Sequence, residues 1–306
     1  VIRVALSDEY RCSKTESTPL TTPDIPPEIG AQLASLSEQP PSIDIGDVMR
    51  AALVARAAIP MDPPPSGDEV AAFGRAVDDV RRTLALLTTA HWSLPAVNGL
   101  NVGELVGHLI GTQVTMAAEL GLRGAVAGAE DHIESTREWI RAARALTPSI
   151  GVEEFARHSR VITTHLATLD SDGLAAPARF GPIQADIRFV LVGRVFELWT
   201  HDNDLRTAAG LPRVEPDRER LWMMTRTVMP FVRIIGDPRV RIVLTGPGGG
   251  VWAAEGDEVA EVVADASKFC RRIANRLDAD AIEADISGDV DTAIGTLTAI
   301  AGLALD

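Results

Sequence analysis

Glu197 and His201 stand four residues apart in the run Arg194-Val-Phe-Glu197-Leu-Trp-Thr-His201, and a separate histidine, His108, lies far upstream in another apolar-periodic stretch. On an α-helix, residues four apart sit one above the other on the same face, so one helix presents a carboxylate and an imidazole together. A second helix carrying His108 would add another imidazole. Two nitrogens and one oxygen make the donor set of a zinc site that keeps a coordination position open for water or substrate. The same residues admit a plainer account, because polar groups on a core-facing strip need partners. In that account Arg194 and Glu197 form a buried pair and His201 is a hydrogen-bonded neighbour. Spacing does not choose between the two, since Glu-x3-His is far less specific than His-Glu-x2-His, which the chain lacks.

The elements that must position these residues are legible as periodicity. Phe73, Val77, Val80, Leu84 and Leu87 recur at spacings of four and three and mark a first long helix, with His91 continuing the stripe and Pro95 beyond its end. Asn101 with Glu104 three residues on reads as a capping box opening a second helix towards Leu122. His108 lies there at the margin of the face marked by Leu105, Leu109, Thr112 and Met116. Further helices are expected over about 130–146 and 152–169, then a Gly- and Pro-containing break over 170–182. The helix carrying Glu197 and His201 is expected over about 184–209, ended by Gly210 with Pro212 beyond.

These helices imply a four-helix bundle over residues 67–212, in which ligand sites are built from inward-facing side chains. A small α+β domain is expected over 213–306. It would hold a helix over about 215–231, a hairpin formed by Val240-Arg-Ile-Val-Leu-Thr245 and Val251-Trp-Ala, and a helical stripe through Val259, Val262, Ala266, Phe269 and Ile273. A strand over 281–287 and a closing helix over 289–303 complete it. Residues 1–66 carry ten of the nineteen prolines, which rules out long regular elements there. That segment reads as a poorly ordered or wrapping arm, interrupted by a short helix over 45–58.

A formal charge of −14 argues against nucleic acid and anionic membranes as partners, since both reward clustered Lys and Arg. The stretches of apolar residues are too short to span a bilayer and the first twenty residues lack a secretory pattern. Two cysteines, Cys12 and Cys270, give no disulfide framework and suit a reducing, cytoplasmic compartment.

The segment from Trp92 through His108-Leu, followed by Arg194-Val-Phe-Glu197-Leu-Trp-Thr-His201-Asp-Asn-Asp204 and on to Gly210, resembles the mycothiol-dependent maleylpyruvate isomerase family. That family belongs to the DinB-like metal-binding four-helix bundles. The resemblance extends over about residues 68–304, through Gly246-Pro-Gly-Gly-Gly-Val-Trp252 and the helix ending Arg271-Arg-Ile-Ala-Asn-Arg276. It implies that His108, Glu197 and His201 bind Zn2+ or another divalent metal. It also implies that the metal takes up the thiol of mycothiol and presents it as a thiolate nucleophile to an electrophilic small molecule, for isomerisation or S-transfer. Arg276 is then the counterpart of an arginine that binds an anionic substrate and the cofactor, with Arg272 one turn earlier, and Asp204 matches a supporting or cofactor-binding Asp. The chain departs from the family at Leu100, where an aromatic is usual, and in the long arm, so the substrate does not carry over. A monomer or homodimer is expected. The alternatives are a non-catalytic metal-binding regulator or interaction module, and a metal-dependent hydrolase on the same bundle.

Other candidates read as structural. His158 and His165, seven apart, lack a recommended carboxylate partner, and His91 and His132 read as packing residues. The glycine run 246–250 lacks the Lys-Ser/Thr of a phosphate loop and reads as a turn. Trp222, Met223, Met224 and Met229 read as core.

Overall fold

The computed structural model describes residues 68–122, 132–180 and 183–304, so the expected arm over 1–66 and its short helix lie outside the described residues. Helix α1 (Glu69–Leu86) opens on Asp68, whose carboxylate accepts from the Ala71 amide at 2.9 Å. Its expected stripe from Phe73 to Leu84 is buried, as is Leu87 just beyond its end. His91 does not continue that helix. It sits in the single turn α2 (Thr89–Trp92), where its Nδ1 accepts from the Thr88 amide at 3.2 Å and so closes a cap.

Helix α3 (Val102–Glu119) starts at the expected capping box, with Asn101 and Glu104 each bonding the other's backbone amide. Two glycines one turn apart let α4 (His132–Ala143) lie close upon it. A Cβ at Gly107 would stand 2.5 Å from the Trp139 carbonyl oxygen, and one at Gly111 2.8 Å from the Thr136 Cβ. Helix α5 (Pro148–Leu166) begins earlier than expected because Thr147 caps it and Pro148 takes the first turn, where a missing N–H costs nothing.

The break before the site-bearing helix holds more structure than its composition suggests. A short turn α6 (Ser171–Leu174) is followed by β1 (Pro177–Phe180) and β2 (Ile183–Asp186), paired antiparallel. Residues 184–186 therefore belong to a strand, and α7 (Ile187–Ala208) starts after Asp186, whose carboxylate accepts from the Phe189 amide at 2.8 Å. Gly210 ends α7 at φ +68°, as the Gly-then-Pro signature predicts. Helices α1, α3, α5 and α7 pack together as the four bundle members, with α4 on the outer side of α3.

Beyond the bundle, α8 (Arg218–Ile235) leads into β3 (Val240–Thr245) and β4 (Gly250–Trp252), the expected hairpin. The expected helical stripe from Val259 to Ile273 is two elements, β5 (Ala260–Asp265) and α9 (Ala266–Ile273). Strand β5 is parallel to β3, antiparallel to β6 (Asp285–Gly288), and buried on both faces. A strand covered on both sides is apolar without alternation, which is why it reads as a helix from sequence. The sheet order is β4-β3-β5-β6. Helix α10 (Val290–Ala299) and a 3-10 turn (Ile300–Leu303) close the chain.

One apolar core runs through bundle and sheet layer. Polar ties reinforce the junction. Arg75 on α1 reaches Asp217 at 3.1 Å and Glu219 at 2.6 Å, and Arg220 on α8 reaches Asp79 at 2.6 Å. The connector from α7 is pinned by Asn203, whose amide side chain donates to Val214 O at 2.9 Å and accepts from Val214 N at 2.8 Å. Among the described residues no helix is long and apolar enough to cross a membrane.

Candidate metal centre

His108 comes from the middle of α3, and Glu197 and His201 from successive turns of α7, so the packing of two bundle helices decides whether they meet. They do. His108, Glu197 and His201 each offer a ligand atom within 4.8 Å of the others, and no other such cluster occurs among the described residues. The two histidines are each 3% exposed, which removes competing water. His108 Nε2 lies 3.3 Å from Glu197 Oε1. Two donors of one tetrahedral ion with bonds of about 2.1 Å stand roughly 3.4 Å apart, so this pair has the spacing a single ion requires.

The outer atoms of the cluster are held by neighbours. His201 Nδ1 is 3.0 Å from Asp204 Oδ2, and a carboxylate can only accept, so the proton sits on Nδ1 and Nε2 carries the lone pair. His108 Nδ1 is 3.2 Å from Thr136 Oγ1 on α4. Arg194, one turn before Glu197, bonds Glu197 Oε2 and leaves Oε1 directed towards His108. Such partners fix ring orientation and basicity in metal sites. The expected Arg194–Glu197 pair exists, and its carboxylate also faces a histidine.

Asp204 carries a second load. Arg276, just past α9, donates from Nε at 2.9 Å to Asp204 Oδ1 and from Nη2 at 3.0 Å to Oδ2, forming a two-pronged ion pair. Burial pushes the Asp204 carboxyl up, but the bonds from His201 and Arg276 overcome it and hold the group below the usual carboxylate range. Arg272, the other arginine considered, is buried and donates to the carbonyls of Leu297, Leu277 and Thr298 at 2.7, 2.9 and 3.0 Å, which makes it the fastening of the C-terminal helix.

Two cavities flank α7 beside the donors. The larger, about 300 Å³, includes Glu197, Thr200 and His201 and is otherwise walled mainly by apolar side chains of α7, α8 and the closing 3-10 turn. The smaller, about 90 Å³, has a mixed lining, with Asn203, Asp204, Thr207, Arg213, Arg271 and Arg276 beside Ala96, Trp199, Thr200 and Ala274. Met224, expected to be core packing, also lines the larger cavity. Thr136 and the cavity wall went unread in the sequence. Their only signal is that α7 is buried on several faces, so Phe189, Val192 and Phe196 form a second stripe at spacings of three and four.

His91, His158 and His165 take no part in the cluster, and the His132 side chain lies outside the described residues. His158 Nε2 lies 3.5 Å from Glu154, a partner the sequence reading did not anticipate, and its ring packs edge-on to Trp139. The glycine run forms the β3–β4 turn, with Gly246 and Gly248 at φ +76°.

Fold and site together define a helical bundle that presents a His-Glu-His cluster over an α+β layer. Residues 73–206, which include all three donors and Asp204, match the model of the mycothiol maleylpyruvate isomerase N-terminal domain, and this segment is a domain of that family. Two crystal structures resemble the chain at TM-score 0.51, covering 68% of this chain and 88% of theirs: the mycothiol-dependent maleylpyruvate isomerase at 16% identity, and a histidine-to-alanine mutant of it at 15%. At that identity the likeness is one of fold, a helical bundle joined to an α+β layer. No protein of curated function matches the sequence.

Proposed function

We propose that this chain is a metal-dependent enzyme that uses mycothiol, a low-molecular-weight thiol, for isomerisation of, or S-transfer to, an electrophilic small molecule. The metal, Zn2+ or another divalent ion, is held by His108, Glu197 and His201. The observation that carries this reading is the convergence of those three donors, two buried and one half-buried, within the segment that matches the isomerase family, at the edge of a cavity. Bound zinc supplies Lewis acidity, which lowers the pKa of a thiol brought to it.

The chain's own residues do the rest. Arg194 fixes one Glu197 oxygen, so the carboxylate faces the cluster through the other. Asp204 keeps the His201 proton on Nδ1, and Arg276 keeps Asp204 ionised and in place. Burial of both imidazoles excludes the water that would compete with a thiol. Cys270 is fully buried and burial pushes its thiol up, so it is no nucleophile, and in this reading the cofactor brings the sulfur. The charged and amide side chains around Asp204 and Arg276 in the smaller cavity suit the polar body of that cofactor, which is the cofactor-binding role assigned to these two residues. In this reading 67–212 is the metal-binding bundle, 213–306 the α+β domain that closes the site, and the cytoplasm the compartment that keeps the thiol reduced.

The test is adduct or isomer formation by zinc-loaded protein with and without mycothiol, beside His108→Ala and His201→Ala. Turnover that needs the thiol and disappears in both variants supports the reading. Turnover that proceeds without thiol would replace it with hydrolysis, and a metal-loaded protein with no turnover would replace it with a binding module.

A further inference from the structure

The larger cavity is built unlike a receptor for an anion. Phe189, Val192 and Phe196 line it from α7, Val228 and Phe231 from α8, and Leu303 from the closing turn. Among the described residues its polar lining consists of Glu197, Thr200, His201 and Thr227, and neither Lys nor Arg lines it. The arginines nearest the donors are engaged elsewhere: Arg194 bonds Glu197, and Arg276 lines the smaller cavity, ion-paired with Asp204. A carboxylate entering the larger cavity would shed its hydration, meet no side-chain cation and face Glu197, and a thiolate on a bound divalent ion would together with Glu197 cancel that ion's charge. A group buried charged and unpaired is strongly disfavoured, whereas apolar surface is rewarded for leaving water. A volume of about 300 Å³ is at the small end for ligand pockets and fits one aromatic ring with short substituents.

We propose that this cavity takes an uncharged, apolar electrophile of single-ring size and rejects carboxylate-bearing ones. The binding half of the proposal stands on the cavity alone, and the chemical half rests on the thiol-using reading above. In that half the sulfur of the thiol bonds to one carbon of a polarised alkene. The alkene π pair shifts to the other carbon, and that carbon takes up the proton the thiol lost.

A matched probe pair tests it. Methyl 3-benzoylacrylate and 3-benzoylacrylate share a skeleton and differ in one negative charge, and their saturated analogues, methyl 3-benzoylpropanoate and 3-benzoylpropanoate, cannot react. Calorimetric titration of the full-length protein without metal, using the saturated pair, measures binding to the cavity alone. Mycothiol addition to the unsaturated pair by the zinc-loaded protein, normalised to the uncatalysed rate, measures use. The expected result is binding of the ester and a preference for it of roughly 100-fold or more in both assays. Thr227→Arg places a cation in the cavity wall and is expected to narrow that preference at least tenfold. If Thr227→Arg does not fold, the wild-type comparison decides alone. Equal or tighter binding of the acid, or binding of neither analogue, overturns the proposal. Ester-selective binding without thiol addition to either electrophile would uphold the cavity assignment and remove the thiol-using reading.

Discussion

Asp204 lies one turn beyond His201 on α7 and accepts its Nδ1 proton at 3.0 Å, so the ring's other nitrogen is left for the cluster. The same carboxylate holds Arg276 from the far side of the fold. One side chain thus ties the donor helix to the end of α9. Replacing Asp204 with Ala is expected to lower zinc affinity about 10- to 100-fold, the usual cost of losing such a partner, with helix content preserved. Competition against a chromophoric chelator measures the affinity, and circular dichroism the fold. Unchanged affinity would mean that Asp204 does not orient His201.

The close seating of α4 on α3 sets where Thr136 meets His108. A Cβ at Gly107 would stand 2.5 Å from a backbone oxygen and 2.6 Å from the Ala143 Cβ, and neither neighbour can swing aside. Gly107→Ala is therefore expected to destabilise the protein by about 1–3 kcal/mol through overpacking. Gly74 on α1 has nothing within 4 Å of the same atom, so Gly74→Ala is expected to stabilise by about 0.5–1 kcal/mol. Urea unfolding of the two variants should move in opposite directions.

Asp217 caps α8 and joins Arg220 and Arg75, bridging the bundle to the sheet layer. Burial raises its carboxyl, but the Arg220 amide and both guanidinium groups outweigh that, and the net direction is down. A carboxyl depressed in the folded state adds stability above its unfolded pKa of about 3.9 and loses it as pH falls through the folded value. The side chain is 39% exposed, so solvent screening limits the effect to about 0.5–1 kcal/mol. Asp217→Asn should cost that much at neutral pH, and the gap from wild type should close as the wild-type carboxyl protonates below the usual range. Denaturant midpoints across an acid series check this.

Cys270 sits in the core in the middle of the short helix α9, and burial with nearby Asp265 and Glu215 pushes its thiol up. Native protein treated with iodoacetamide at mildly alkaline pH should show no carbamidomethyl group on the Cys270 peptide, and unfolded protein should show complete labelling. Labelling in the native state would contradict the packing of α9.

The bundle was legible wherever one face of a helix is buried. The stripe of α1 and the capping box of α3 stand where their spacing puts them, because amphipathic period and cap chemistry are local. The convergence of the three donors was legible because helical spacing puts Glu197 and His201 on one face and His108 stands on a second helix, a set that the family resemblance also implied. The rest depends on contacts between distant segments. Thr136 reaches His108 through glycines that permit a close helix pair, and nothing around Thr136 itself signals that. Arg276 lies 72 positions from Asp204, and no local pattern reports their pairing. Strand β5 was misread because burial on both faces erases alternation. The apolar cavity was invisible because it is the space between α7 and α8, which no local pattern reports.

The central claim is that His108, Glu197 and His201 hold one metal ion and leave a position open to a thiol. Cobalt(II) substitution tests it most directly, since visible absorption reports four-coordinate geometry and a near-ultraviolet band reports sulfur bonding. The account predicts about one cobalt per chain with tetrahedral-type bands, a new sulfur-to-cobalt band when mycothiol is added, and loss of both in His108→Ala. Failure to take up cobalt or zinc, or a loaded site whose spectrum ignores the thiol, would contradict it.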